Sequence, residues 1–183
     1  MKKIYVAFFL LFIQSTTHAQ TRLYSKEARI SFFSKTAMEN IVAQNNKALC
    51  VWDIASSRIE FSVLIKGFEF DRALMQEHFN ENYMESDKYP KAYFKGTIKS
   101  ETALVLQGDK SYSVKAVGVL TIHGVSKEMI IPATITCKDG VISSRADFTV
   151  QPSDFKISIP SIVADKINKQ ISISVLVPAY KNL

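Results

Sequence analysis

From residue 28 onward, apolar and polar side chains alternate with a period of two. That is the pattern of strands with one buried and one wet face. In "RISFFSKT", Ile30 and Phe32 share a face. In "KALCVWDI", Ala48, Cys50, Trp52 and Ile54 share one. In "RIEFSVLIK", Ile59, Phe61, Val63 and Ile65 alternate with Arg58, Glu60, Ser62 and Leu64. In "KAYFKGTIK", Ala92, Phe94, Gly96 and Ile98 alternate with Tyr93, Lys95, Thr97 and Lys99. The alternation continues through "YSVKAVGVLTI", "KEMIIPATITC", "GVISSRADFTV" and "QISISVLV", where Ile171, Ile173 and Val175 oppose Ser172, Ser174 and Leu176. Turn residues separate several of these runs: Ser56-Ser57, Gly108-Asp109, Gly124 and Asp139-Gly140. The pattern predicts an all-β fold of about eight antiparallel strands, closed as a barrel or stacked as a sandwich. A barrel has the advantage of leaving no open edge.

One window departs from period two. In "ALMQEHFNENYMESDKYPKAYFKGTI", Leu74, Met75, His78, Phe79 and Tyr83 recur at helical spacings. They predict a short helix over 71–82, N-capped by Asp71. Pro90 disfavours helix at Tyr89 and returns the chain to extended structure. The expected order is strand, short helix, turn, strand: a helical lid or plug interrupting a β-fold.

The first residues, "MKKIYVAFFLLFIQSTTHAQ", carry Lys2 and Lys3, an apolar run from Ile4 to Ile13, and small residues at Thr17 and Ala19. This is the layout of a secretory signal peptide, expected over 1–19 with cleavage after Ala19. The apolar run is too short for a comfortable span of ~20 residues. The rest, 20–183, is one domain's worth of chain. The formal net charge is +6, and loss of Lys2 and Lys3 lowers it by two. The cations are scattered singly, which argues against nucleic acid as a partner. Cys50 and Cys137 fall on apolar faces. Export would permit a disulfide, but two buried thiols acting as small hydrophobes are the favoured reading.

Chemistry-bearing residues are few. Glu77, Glu81, Glu85 and Asp87 read as a solvated helix face, since catalytic carboxylates need burial or a like-charge partner. His78 reads as a helix-packing residue. His123 could meet Cys50 only through the fold. No metal-ligand spacing, P-loop, GxSxG or GxGxxG is present. No catalytic residue, metal or cofactor is therefore expected. What stands out is an inward apolar set: Phe32, Trp52, Phe61, Val63, Phe94, Leu120, Met129, Ile131 and Phe148. Beside it run the small residues Ala48, Ala92, Gly96, Ala116, Gly118, Ala133 and Ala146. A filled core and a barrel with room for an elongated ligand share this pattern, and an eight-stranded barrel accommodates either.

The segment "KGFEFDRALMQEHFNENYMESDKYPKAYFKGTI" resembles the signature region of the YceI-like domain family of secreted lipid- and polyisoprenoid-binding bacterial proteins. "VGVLTIHGVSKEMIIPATI" is similar to that family's central hairpin. "SRADFTVQPSDFKISIPSIVADKINKQISISVLV" is similar to its C-terminal portion, although the usual Asp-Phe-Gly or Asp-Tyr-Gly reads Asp154-Phe155-Lys156. The resemblance implies a lipocalin-like extended barrel whose apolar channel takes an isoprenoid, quinone-like or similar amphiphilic lipid. It also implies a periplasmic location and no catalysis. The inward apolar set would then be ligand-binding, with Ser or Thr hydroxyls or Tyr93 near a head group. The competing expectation is a packed barrel serving interaction or stress response without a ligand. The sequence leaves a homodimer open.

Overall fold

The computed structural model describes residues 22–183, so the expected signal peptide lies outside the described residues. In chain order the elements are β1 (Arg22–Lys35), β2 (Asn40–Asp53), β3 (Arg58–Leu64), β4 (Glu69–Phe70), α1 (Ala73–His78) and β5 (Lys91–Lys99). They continue with β6 (Lys110–Ile122), β7 (Val125–Lys138), β8 (Val141–Val150), β9 (Ile171–Val177) and β10 (Lys181–Asn182). All pairings are antiparallel, in the order β1-β9-β8-β7-β6-β5-β3-β2, and β2 returns to β1 to close the barrel. The fold is the closed eight-stranded antiparallel barrel, one of the two closures open to the period-two pattern and the one that the family resemblance implies. The two-residue strands β4 and β10 are additions, paired to β2 and β1. No helix among the described residues is long and apolar enough to cross a membrane.

Register divides the barrel into two ends. The lower end gathers the β2–β3, β5–β6 and β7–β8 connections and the C-terminal residues, because Trp52 pairs with Ile59, Lys110 with Cys137, and Leu23 with Asn182. The upper end gathers the β1–β2 turn, the whole 65–90 excursion, the β6–β7 hairpin and the 151–170 crossover. The β1–β2 pairing shifts register twice around Ala28↔Ala48, with an extra residue in β1 between Ser25 and Ala28 and an extra residue in β2 between Asn45 and Ala48. The upper half of β7 pairs only with β6, and Pro132 sits on that unpaired stretch, where a missing N–H costs nothing. The Pro152–Phe155 turn packs there, with a Lys127–Asp154 ion pair and a fully buried Phe155.

Two local expectations are corrected. The helix is shorter than 71–82: α1 ends at His78, and Phe79–Tyr83 winds on as a wider turn closed by the Met84 N–H donating to Phe79 O at 2.8 Å. The Asn80 side chain donates to Gln76 O at 2.8 Å and so competes for the carbonyl that the regular ladder would use. Arg72, not Asp71, is the N-cap, and no side chain caps the helix. The stretch "AMENIVAQNN", with no clear strand signal in the sequence, forms the β1–β2 turn and the upper half of β2. Its alternation is hidden because Asn45 points inward. There it is buried, donates to Leu64 O at 3.0 Å and accepts from the Lys47 N–H at 2.9 Å, which satisfies it.

Candidate functional site

The barrel interior is not filled. It holds an elongated cavity of about 520 Å³ that runs from the upper-end loops to Ser144 and Tyr180 near the lower end. Every strand of the barrel except β2's lower half contributes to its wall, and the side chains it meets are mostly aliphatic or aromatic. Small residues create part of this room: Ala92, Ala116, Ala133 and Ala146 all line it.

Seven of the nine residues singled out from the sequence lie on this wall: Phe32, Phe61, Val63, Phe94, Leu120, Ile131 and Phe148. Trp52 and Met129 do not. Trp52 points inward, but at the lower end, where it meets Tyr180 edge-on at 5.7 Å between ring centroids. Its indole Nε1 has no hydrogen-bond partner. Met129 belongs to the upper stretch of β7, where the Pro152–Phe155 turn packs. Gly96 and Gly118 make no room for a ligand either. They face each other across β5–β6, and a Cβ on Gly96 would lie 2.6 Å from Val117 O and 2.8 Å from the Phe94 ring. Their bareness lets the two strands approach. Ala48 is fully buried off the cavity, beside the β1 bulge.

The sequence reading missed the aromatic joint between barrel and lid. Phe32 of β1 stacks on Phe79 at 5.4 Å and meets Phe68 at 5.6 Å and Phe70 at 5.7 Å, while Phe70 and Phe79 are 5.0 Å apart. All four rings line the cavity. Such pairs add to the area they bury. The pattern "GFEF" in front of the helix was the available signal, and β4's pairing with β2 places it.

Polar groups concentrate at the two ends. At the upper mouth stand Glu39, Arg72, His78, Tyr83 and Lys166, with Arg72 ion-paired to Glu39. His78 is exposed at this mouth and is not a packing residue of the helix, a correction that follows from α1 lying across the opening. At the lower end the Tyr180 hydroxyl shares a 2.8 Å hydrogen bond with Ser144 Oγ and meets Cys50 Sγ at 3.6 Å. Burial pushes the Cys50 thiol up to about 12 and raises Tyr180 well above the usual phenol range. Cys50 and Cys137 are both buried free thiols. Tyr93 touches the lining but alternates with inward Ala92 and Phe94, and it is 40% exposed under the Lys95 ammonium.

Glu77, Glu81 and Asp87 face water as expected, but Glu85 does not belong with them. Its Oε2 lies 2.6 Å from His123 Nε2, and His123 Nδ1 lies 3.2 Å from Phe155 O. Tyr89 sits edge-on to the same imidazole at 4.5 Å, against bare Gly124, where a Cβ would come within 2.5 Å of its ring. His123 thus ties the β6–β7 hairpin to the lid and to the 151–170 crossover. The fold does not bring it to Cys50, which is engaged at the opposite end.

No curated protein matches the chain. Solved structures do. A polyisoprenoid-binding domain from Saccharophagus degradans superposes with a TM-score of 0.72 at 10% identity, over 90% of this chain and 99% of that one. BcnA of Burkholderia cenocepacia gives 0.68 at 15% identity, over 81% and 94%. The YceI protein of Campylobacter jejuni gives 0.54 at 20% identity, over 100% and 99%. At these identities the likeness is one of fold. The YceI-like domain itself matches residues 17–179, nearly the whole length, and the chain belongs to that family.

Proposed function

We propose that this protein is a periplasmic carrier that holds a long-tailed lipid, polyisoprenoid or quinone-like, inside the barrel. The observation that carries the reading is the continuous apolar cavity of about 520 Å³. A barrel kept only for packing would be expected to fill that space, because empty apolar volume is costly. Two further observations support it: a solved structure of the same fold is described as a polyisoprenoid-binding domain, and the first nineteen residues have the layout of a signal peptide. The mechanism is burial. At ~25 cal/mol per Å², enclosing ~300 Å² of tail contributes roughly 7 kcal/mol before ordering costs. The reading assigns no bond-making step to any residue. The tail runs down the barrel toward Ser144 and Tyr180, and the head group rests among Arg72, His78 and Lys166 at the mouth.

The test is native mass spectrometry of the mature chain purified without detergent, followed by solvent extraction. A stoichiometric prenyl or quinone lipid is the expected finding. A clean apo mass, unchanged after exposure to a panel of isoprenoids, would overturn the reading in favour of a ligand-free interaction protein. Ala133→Phe narrows the channel from its wall and should abolish retention while the fold persists.

A further inference from the structure

A molecule with a long apolar tail does not cross water freely, so a carrier has to meet the surface that supplies it. The mouth of the channel is framed by three separate segments, and each presents a large apolar side chain to solvent. Met38, in the β1–β2 turn, is 66% exposed. Leu74, on α1, is 61% exposed. Ile162, in the 161–166 turn of the crossover, is 89% exposed. These segments are fastened into one rim. The Arg72–Glu39 ion pair joins the start of α1 to the β1–β2 turn. Asn168 joins the crossover to the end of β1, its N–H donating to Ser34 Oγ at 2.8 Å and its Nδ2 to Lys35 O at 2.9 Å. Glu39, Arg72, Leu74, Val163, Lys166 and Ile167 from the same three segments line the channel itself, so the exposed apolar rim is continuous with the apolar interior.

From this geometry we infer that the rim of Met38, Leu74 and Ile162 is a lipid-surface docking site, through which cargo passes between a bilayer and the barrel. The inference rests on the carrier reading for its purpose. A bilayer fits better than a protein groove because the three side chains stand apart on different elements, around an opening, instead of forming one helix face or strand edge. The charges around the rim are mixed, Lys35, Arg72, Lys166 and Lys169 against Glu39, Asp71, Glu77, Glu81 and Asp165, so burial of the apolar side chains, and not net charge, supplies the attraction to the bilayer. Insertion is shallow, with single side chains entering the acyl boundary while the cations meet head groups.

The test uses the mature chain, vesicles of phosphatidylethanolamine with phosphatidylglycerol, and a variant carrying Met38→Ser and Ile162→Ser, which leaves Leu74 on the channel wall untouched. Both sites are exposed, so folding is spared. In flotation, wild type is expected to rise with the vesicles, and the variant to partition at least about tenfold less. Loading of a fluorescent prenyl alcohol from detergent should be equal in both. Its transfer from vesicles should rise with vesicle concentration for wild type and fall by a similar factor in the variant. Wild type that stays in solution, or a variant that floats equally well, overturns the docking site. Absence of prenyl loading in wild type sinks the carrier reading instead, and flotation still decides the docking site on its own.

Discussion

The two ends of the barrel are closed by different means. The lower end is shut by core packing. Leu23, Cys50, Trp52, Val177 and Tyr180 are all buried, and the C-terminal residues fold under them through the Tyr180 N–H to Ile142 O bond and the β1–β10 pairing. The upper end is shut by a lid of short turns and half-buried rings, fastened by ion pairs that stand in water. Exposed ion pairs are worth ~0–1 kcal/mol each, whereas burying a large side chain contributes ~1.5–3 kcal/mol. The difference identifies the end that can open. On the carrier reading, cargo enters past the lid, and the lower end is a wall.

The sharpest way to break this comparison is to truncate one aromatic at each end. Trp52→Ala should destabilise by about 3–5 kcal/mol, and Phe79→Ala by only about 1–2 kcal/mol, because its ring is partly exposed. Urea midpoints measure both, and equal losses would erase the distinction between wall and lid. The next effect is pH-dependent. Cys50 has its pKa raised from 9.0 to about 12 by burial, so the folded protein keeps a proton that the unfolded chain gives up. Its contribution is complete below pH 9 and is lost as pH rises from 9 toward 12. Cys50→Ala should make that part of the stability curve shallower in alkaline urea titrations, with the buried Tyr180 keeping its own share above pH 10, while no lid substitution should change it. A smaller effect is expected at the lid's own fastening. His123→Ala removes the contacts to Glu85 and Phe155 O, and should cost about 1–2 kcal/mol. Limited proteolysis should then cut within 84–90 or 151–160 sooner than in wild type, with the lower end unaffected.

The smallest expected effect concerns Lys156. It adopts φ 56°, the left-handed conformation for which the family's usual glycine is suited. Lys156→Gly should stabilise by about 0.5–1 kcal/mol, read as a higher melting temperature.

Most of the barrel was legible in the sequence because a strand with one dry face must alternate, and seven of the nine inward residues reach the channel for that reason. Parity, however, reports only which face a side chain occupies. It does not report the level along the barrel axis, and so it could not separate Trp52, at the closed end, from Phe61, which faces the cavity. Nor could it see that Gly96 and Gly118 serve each other. The upper half of β2 was hidden by Asn45, whose burial depends on a carbonyl nineteen residues away. The Glu85–His123 contact spans thirty-eight residues and joins two turns, for which the sequence holds no periodic signal.

The bulged stretch of β1 between Ser25 and Ile30 has a consequence for how the chain reaches this state. β1 can form a hairpin with β2 at once, but its other neighbour, β9, begins only at Ile171. Closure therefore waits for almost the whole polypeptide, and such long-range pairing is slow, in the range of milliseconds to seconds. During that interval β1 is a bare edge beside an open apolar trough, the form in which strands pair with the wrong chain. A bulge spoils the regular hydrogen-bonding ladder that a foreign strand would need, while β10 later pairs with Leu23 and Tyr24 on one side of it and β9 with Arg29–Phe33 on the other. The irregularity in β1 thus protects the half-built barrel from its own copies.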